Sequence, residues 1–305
     1  VSAQILSGQP VVEKFCAELA PRIEQFRKAH GIAPTLAAVR VGNSPTAIRY
    51  AHSIDRKFTQ CGMGFQMEAL AEDATTDDLV ARLNELDRND NVHGILLQRP
   101  LPPSIDVHAA LMILPTAKDI EGVSPINLGK LALNLGEYFS TSTPSATIEL
   151  LKHYNIPLAG KRVVIVGRSD ILGKPLALLL LHENATVIVC HSHTQNLAEL
   201  TRQADVLIVG VGKPRLITAS MVNRNAVVID LGVNVQNDQY IGDVDFDAVK
   251  EIAAAISPVP GGTGPITTIM LMRNTIRAAE LQVRQMGTRG RLKWLPTLKS
   301  HKPQK

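Results

Sequence analysis

Apolar residues recur along this chain in two registers, one helical and one extended, and the registers alternate. Across residues 11–29, Val11, Val12, Phe15, Leu19, Ile23 and Phe26 fall on one helical face, and the pattern stops before Gly31. Pro21 inside this run marks a candidate kink or break. Residues 35–41 form a short apolar run, read as a buried strand. Residues 47–62 return to helical spacing after the turn Asn43-Ser44-Pro45-Thr46, where Pro45 suits the first helical turn. A helix over 76–87 begins at a Thr-rich, acidic cap, and the apolar strand 94–98 is stopped by Pro100 and Pro102. Residues 131–143 are irregular and lead into a helix over 147–154.

The second half is sharper. A strand over 162–166, a loop over 167–173 and a helix over 175–182 are followed by strands at 186–190, 206–211, 226–231 and 253–257. A last amphipathic helix spans 267–282. Strands alternating with helices predict parallel pairing, and this half reads as a doubly wound, Rossmann-type dinucleotide-binding unit. The chain has 305 residues, enough for two domains at roughly 150 residues each.

Composition narrows the class. No apolar run reaches the length of a membrane span, and the first ten residues lack the basic start and apolar core of a signal peptide; a cytoplasmic location is expected. Cys16, Cys61 and Cys190 are odd in number and widely spaced, so they read as small buried residues and not as a disulfide or zinc framework. The net charge of +4 misleads, because residues 284–305 carry seven basic side chains and no acid, leaving the rest at −3. A nucleic-acid-binding body is not indicated, and residues 291–305 read as a solvated basic tail.

The loop Gly167-Arg168-Ser169-Asp170-Ile171-Leu172-Gly173 sits between strand and helix, where a tight turn turns a helix N-terminus toward an anion. It lacks the middle glycine of the strict dinucleotide fingerprint; a glycine turn in a purely structural unit is the bland alternative. The next strand ends in Cys190-His191-Ser192-His193-Thr194 without the acid that holds a ribose 2′-hydroxyl. Arg168 and Ser192 are suited to a 2′-phosphate, so NADP is expected over NAD. His191 and His193 imply no third ligand, and no metal is expected. Tyr50 lies on a helix, Gln98 follows a buried strand, Lys118-Asp119-Ile120-Glu121-Gly122 is an acidic loop, and Pro258-Val259-Pro260-Gly261-Gly262-Thr263-Gly264-Pro265 is a stiff path open to a flat ligand.

On three of these motifs the chain resembles the methylenetetrahydrofolate dehydrogenase/methenyltetrahydrofolate cyclohydrolase family, over roughly residues 2–283. They are Gly94-Ile95-Leu96-Leu97-Gln98-Arg99-Pro100-Leu101-Pro102, the loop 167–173 with Lys174-Pro175, and 258–265 followed by Thr267. The resemblance implies an α/β protein of two domains with a folate cleft between them. One is an N-terminal domain, 1–143, completed by the C-terminal helix, 267–290; the other is a Rossmann-type NADP domain, 144–266. It also implies a homodimer, and NADP-dependent oxidation of 5,10-methylenetetrahydrofolate. By resemblance, Tyr50, Gln98 and Glu121 are catalytic, and Pro100, Leu101, Pro260, Gly261, Gly264 and Thr267 join them around the substrate. Gly167, Arg168, Ser169, Ile171, Gly173, Ser192, Val211, Gly212, Val233 and Gly264 fall at the cofactor.

Departures from the family concentrate in the folate half. Its helix runs Tyr-x-x-x-Lys; here it is Tyr50-Ala51-His52-Ser53-Ile54, and the missing lysine is the one that serves the cyclohydrolase step. Lys57, three residues on, shares only part of that face. Glu121 replaces an aspartate, Ser142-Thr143-Pro144-Ser145-Ala146 replaces Cys-Thr-Pro-x-Gly, and Thr263 stands where a small apolar residue is usual. The expected activity is therefore dehydrogenation with weak or absent cyclohydrolysis. Two other readings stay open: a paralogue acting on a modified one-carbon carrier, and a non-catalytic NADP-binding partner of an active relative.

Overall fold

The computed structural model describes residues 2–236 and 239–292. The chain begins with β1 (Gln4–Ile5), α1 (Gln9–His30), β2 (Thr35–Val41), α2 (Pro45–Gln60), β3 (Gly64–Leu70), α3 (Thr76–Arg88) and β4 (Gly94–Leu97). It continues through α4 (Val107–Ile113), α5 (Pro125–Leu133) and α6 (Ser142–His153). The second half runs β5 (Arg162–Val166), α7 (Gly173–His182), β6 (Thr186–Cys190), α8 (Leu197–Thr201), β7 (Val206–Val209) and β8 (Val227–Asp230). A hairpin of β9 (Asn234–Gln236) and β10 (Gln239–Ile241) precedes α9 (Phe246–Val249), β11 (Ala255–Ile256) and α10 (Gly264–Leu292).

Helix ends follow local chemistry. Ser44 accepts the Ala47 N–H at the start of α2, and Thr75 and Asp78 form a reciprocal capping box on α3. Gly31, at φ 70°, closes α1. That helix passes Pro21 unbroken, because the proline sits on the solvent face, where water can satisfy the freed carbonyl.

β3, β2 and β4 form a parallel sheet with β2 in the centre. Successive residues of β2 serve opposite faces. Leu36 and Ala38 pack with α1, α2 and α10, while Ala37, Val39 and Val41 pack with α3 and α4. The second sheet is parallel in the order β1-β11-β8-β7-β5-β6. Its first strand comes from the N-terminus: Gln4 and Ile5 pair with Ala255 and Ile256. The chain leaves β5 toward β6 on one side and returns to β7 on the other, and such a switch point opens a crevice beyond the strands' carboxyl ends.

Several expectations are revised. β3 was not anticipated, since Gln66 and Glu68 interrupt its apolar pattern. The irregular stretch 131–143 contains the end of α5, and α6 starts at Ser142, five residues early. α10 is far longer than 267–282. Cys190 is buried, but Cys16 and Cys61 are only partly so. The tail beyond residue 292 lies outside the described residues. No helix among the described residues is long and apolar enough to cross a membrane.

His93 precedes β4 and is 3% exposed. Its Nδ1 accepts the Thr35 N–H at 3.1 Å, which requires a neutral ring, and its carbonyl accepts from Gln282 Nε2 at 2.8 Å. Burial, with Lys118 and His30 nearby, pushes its pKa down to about 4. The folded state therefore binds this proton more weakly than the unfolded chain. The associated stability is present above the ordinary histidine value and is lost as pH falls toward 4. The expected loss is about 2–3 kcal/mol between pH 7 and pH 4. His93→Asn keeps an acceptor for Thr35 and should flatten that slope in urea melts at the two pH values.

Candidate active site

The crevice begins at the end of β5. Gly167 has φ 132°, a conformation essentially reserved for glycine, and lies against the Gly210 carbonyl after β7. Gly173 opens α7 so close to Gly167 and the Arg168 backbone that any side chain would overlap them. The Ser169 carbonyl accepts the N–H of Leu172 at 3.4 Å and of Lys174 at 3.1 Å, folding the loop back on itself. No side chain among the described residues caps α7, so its N-terminal donors are available to an anion. Asp170, the one carboxylate of the loop, is paired with Lys174 at 2.6 Å, which holds its pKa below the usual range. Arg168, Ser169, Ile171 and Ser192 are exposed around this N-terminus. The His191 Nδ1 accepts the His193 N–H, so the two imidazoles are joined through the backbone. The donor set and the two indispensable glycines fit a dinucleotide pyrophosphate, with Arg168 and Ser192 available for a further phosphate.

A cleft of about 620 Å³ adjoins this crevice. Tyr50 and Ser53 of α2 form one wall, Leu231, Gly232, Val233 and Tyr240 another, and the loop 258–265 with Thr267 a third. That loop is pinned from below. Gly8 donates to the Gly261 carbonyl at 2.8 Å, Gly262 donates to the Pro258 carbonyl at 2.9 Å, and a side chain at Gly8 would overlap the Gly262 carbonyl. The Val259–Pro260 and Arg99–Pro100 bonds are both cis.

Tyr50 is 40% exposed as a residue, yet its phenol lies in a desolvated position. Burial and then the charge of Glu121 raise its pKa well above the ordinary value, with the Thr267 hydroxyl opposing. Glu121 accepts the Ser142 N–H at 3.0 Å. Burial raises its pKa, Ser142 and Arg99 lower it, and Asp119 adds a further rise. The loop carrying Glu121 is fixed on both sides. The Lys118 ammonium donates to the Leu86, Asp87 and Asn89 carbonyls at 2.8–2.9 Å, closing the end of α3. Asp119 accepts from the Val123 and Ser124 backbone and from Asn127. Asn274 of α10 donates to the Ile120 and Ser140 carbonyls.

Gln98 is buried against the first turn of α2 and is not among the residues that line the cavity. Its Nε2 donates to the Ala47 carbonyl at 3.2 Å, while its Oε1 is sealed from solvent and has no partner among the described residues. Ile54 is fully buried, on the same helical face as Ala47 and Ala51. Lys57 sits beside the Cys61 thiol at the far end of α2. Pro100 is exposed, and Leu101 packs against the cluster under β4; neither lines the cavity.

Of the residues singled out in the sequence, Tyr50, Val233, Pro260, Gly261, Gly264 and Thr267 line one cavity. Sequence reasoning missed Ser53, Thr143, Asp230 and Tyr240, which share it. Tyr240 comes from a short polar hairpin that carries no periodic signal.

The site and the fold have close counterparts. Residues 6–121 match the catalytic-domain model of tetrahydrofolate dehydrogenase/cyclohydrolase, and residues 141–283 match the NAD(P)-binding-domain model of the same family. The bifunctional protein FolD of Dictyoglomus turgidum is 44% identical over 276 residues, 90% of this chain and 98% of its own. That of Roseiflexus sp. is 43% identical over 284 residues, 93% and 98% of the two chains. The crystal structure of the bifunctional FolD dehydrogenase/cyclohydrolase from Campylobacter jejuni is similar at a TM-score of 0.89 and 40% identity, covering 92% of this chain and 100% of that one. The FolD of Trypanosoma brucei, crystallised with NADP and an inhibitor, gives a TM-score of 0.89 at 32% identity, over 93% and 99% of the chains. With both halves matched in order and nearly the whole length shared with such relatives, the chain belongs to the tetrahydrofolate dehydrogenase/cyclohydrolase family.

Proposed function

We propose that this protein oxidises 5,10-methylenetetrahydrofolate to 5,10-methenyltetrahydrofolate with NADP, and that its hydrolysis of the methenyl product is weak or absent. The observation that supports the second clause is the orphaned Oε1 of Gln98, an amide held against α2 at Ala47, with Ile54 two turns further along the same buried face. An acceptor sealed from water needs a donor from the protein interior. A lysine ammonium at position 54 would supply one, and the isoleucine supplies only methyl groups. Its side chain has no proton to move, so the hydrolytic step loses its acid–base group.

Bound NADP supplies the hydride acceptor, and the chain's own residues hold and align the two ligands. Gly167, Ser169, Ile171 and Gly173 present the α7 N-terminus to the pyrophosphate, and Arg168 and Ser192 take the 2′-phosphate. Val211, Gly212, Val233 and Gly264 face the nicotinamide end. Tyr50, Pro260, Gly261 and Thr267 line the cleft that takes the folate, and Gln98, Pro100 and Leu101 lie in the segment after β4, outside that lining. Glu121 keeps one carboxylate oxygen on Ser142 and leaves the other for the pterin. A modified-carrier paralogue and a non-catalytic partner are not favoured, because the relatives are bifunctional enzymes matched over almost their full length.

The dinucleotide domain, on this reading, comprises residues 144–266 together with β1, and the folate domain comprises 6–143 with α10 completing it. A homodimer is part of the same proposal. β3 is an edge strand, and beside it Ile48, Ala51, Phe65 and Met67 line a groove of about 290 Å³. The Arg40 Nε opening on this groove is buried without a partner among the described residues. An unpaired edge that alternates Phe65 and Met67 with Gln66 and Glu68 is suited to a second copy of the same edge.

Incubation with methylenetetrahydrofolate and NADP should accumulate the methenyl chromophore in step with NADPH; brisk loss of that chromophore would overturn the claim of weak hydrolysis. Ile54→Lys should accelerate methenyl hydrolysis on the order of a hundredfold. Arg168→Ala should weaken NADP binding by about 2 kcal/mol through loss of a charge-assisted contact, with NAD binding little changed in the same titration. Light scattering should give the mass of a dimer, and Met67→Lys on the β3 edge should shift it to the monomer.

A further inference from the structure

Two buried aspartates hold together the loops that face the nicotinamide end of the crevice. Asp230 ends β8 and is 4% exposed; Asp243 follows the β9–β10 hairpin and is fully buried. Asp243 Oδ2 accepts the N–H groups of Val211 at 2.6 Å and Gly212 at 2.9 Å, and its Oδ1 accepts from Asn234 Nδ2 at 3.0 Å. Asp230 in turn holds Asp243. Its Oδ1 accepts the N–H of Asp243 at 3.0 Å and of Gly232 at 2.9 Å, and its Oδ2 accepts that of Val244 at 2.9 Å. Gly232 and Gly242 are obligatory here, since a side chain at either would overlap the carboxylate of Asp243 or Asp230 respectively. Burial pushes Asp230 up to about 6 against the lowering effect of these three donors.

We propose that Asp243, held by Asp230, is a positioning residue for the nicotinamide half of NADP. β7 and β8 are neighbouring strands, and Asp243 sits between the loops that leave them. One oxygen fixes Val211 and Gly212, and the other fixes Asn234, next to Val233. The inference rests on the proposed reading that NADP lies across these loops. An asparagine cannot replace Asp243. One end of its amide is a donor, and donors already approach both oxygens, with Asn234 Nδ2 further committed to the Ile241 carbonyl at 3.1 Å. The phosphate-binding end of the crevice, built from residues 167–173, receives no hydrogen bond from either aspartate and meets the loop they hold only by packing of Gly167 and Leu172 on Gly210 and Val211.

Calorimetry on the full chain with two probes tests this: NADP, and adenosine 2′,5′-bisphosphate, which lacks the nicotinamide half. Asp243→Asn should weaken NADP about tenfold or more and leave the bisphosphate within about twofold. Asn234→Ala, which removes one tether only, should weaken NADP about threefold with the same selectivity. If Asp243→Asn fails to fold, the alanine variant alone decides. Parallel loss of both probes would mean general damage and would overturn the positioning role, as would unchanged NADP affinity. If the unsubstituted protein binds neither probe, the cofactor reading fails first, and the inference falls with it.

Discussion

The structure turns on the burial of α10. Ile266, Ile269, Met270, Leu271, Met272 and Ile276 are all essentially inaccessible, and this one helix packs on α1 and α6 while covering β2 and β4. Six such side chains stabilise the packed state by at most roughly 10–15 kcal/mol, an upper figure from area transfer. The consequence is geometric. α10 starts at Gly264, inside the loop that forms the third wall of the cleft, so the helix that joins the layers also aims that loop. Asn274, nearly three turns further along the helix, reaches the carbonyls of Ile120, next to Glu121, and of Ser140, two residues before Ser142. Cleft walls contributed by distant parts of the chain are thus fixed relative to one another by one apolar contact surface.

This dependence explains what could be read in advance. Strands β2, β5, β7 and β8 are buried on both faces, so their apolar runs are continuous, and glycine loops follow at the switch point; that half of the architecture is written locally. β3 is half-exposed and alternates Phe65, Met67 with Gln66, Glu68, a weak signal. β1 has only two residues, and its pairing partner lies about 250 positions away, where no local pattern reaches. The candidate site divides the same way. Gly167, Gly173 and the 258–265 loop announce themselves because backbone geometry demands those residue types. Asp243 is one of three acids alternating along 243–247, nothing local sets it apart from Asp245 and Asp247, and its importance comes only from three donors converging on it in space.

Gln98 is the instructive intermediate case. The residue stood out in the sequence as a candidate, but its condition did not. Only the packed structure shows that one end of its amide is satisfied by Ala47 while the other faces a space with no donor. An unsatisfied buried acceptor costs roughly 1–3 kcal/mol. Such a group persists where it serves a ligand or where a partner has been lost. Oε1 is sealed from solvent, which argues for the loss of an interior partner and agrees with Ile54.

The electrostatics of the cleft give that substitution a direction. Removing hydride from a methylene bridge between two nitrogens leaves a delocalised cation. A group that disfavours positive charge near that bridge slows the step, and one that favours it speeds it. The carboxylates gathered here are Glu121, whose charge reaches Tyr50, Asp119 behind it in the same loop, and Asp230 on the opposite wall, with Arg99 the cation that Glu121 senses. A lysine at position 54 would add positive charge to this set in exchange for a proton carrier. With isoleucine the proton carrier is gone, and so is the repulsion of the methenyl cation. On the proposed reading, one substitution weakens hydrolysis and favours dehydrogenation for the same physical reason: the site has lost an ammonium group.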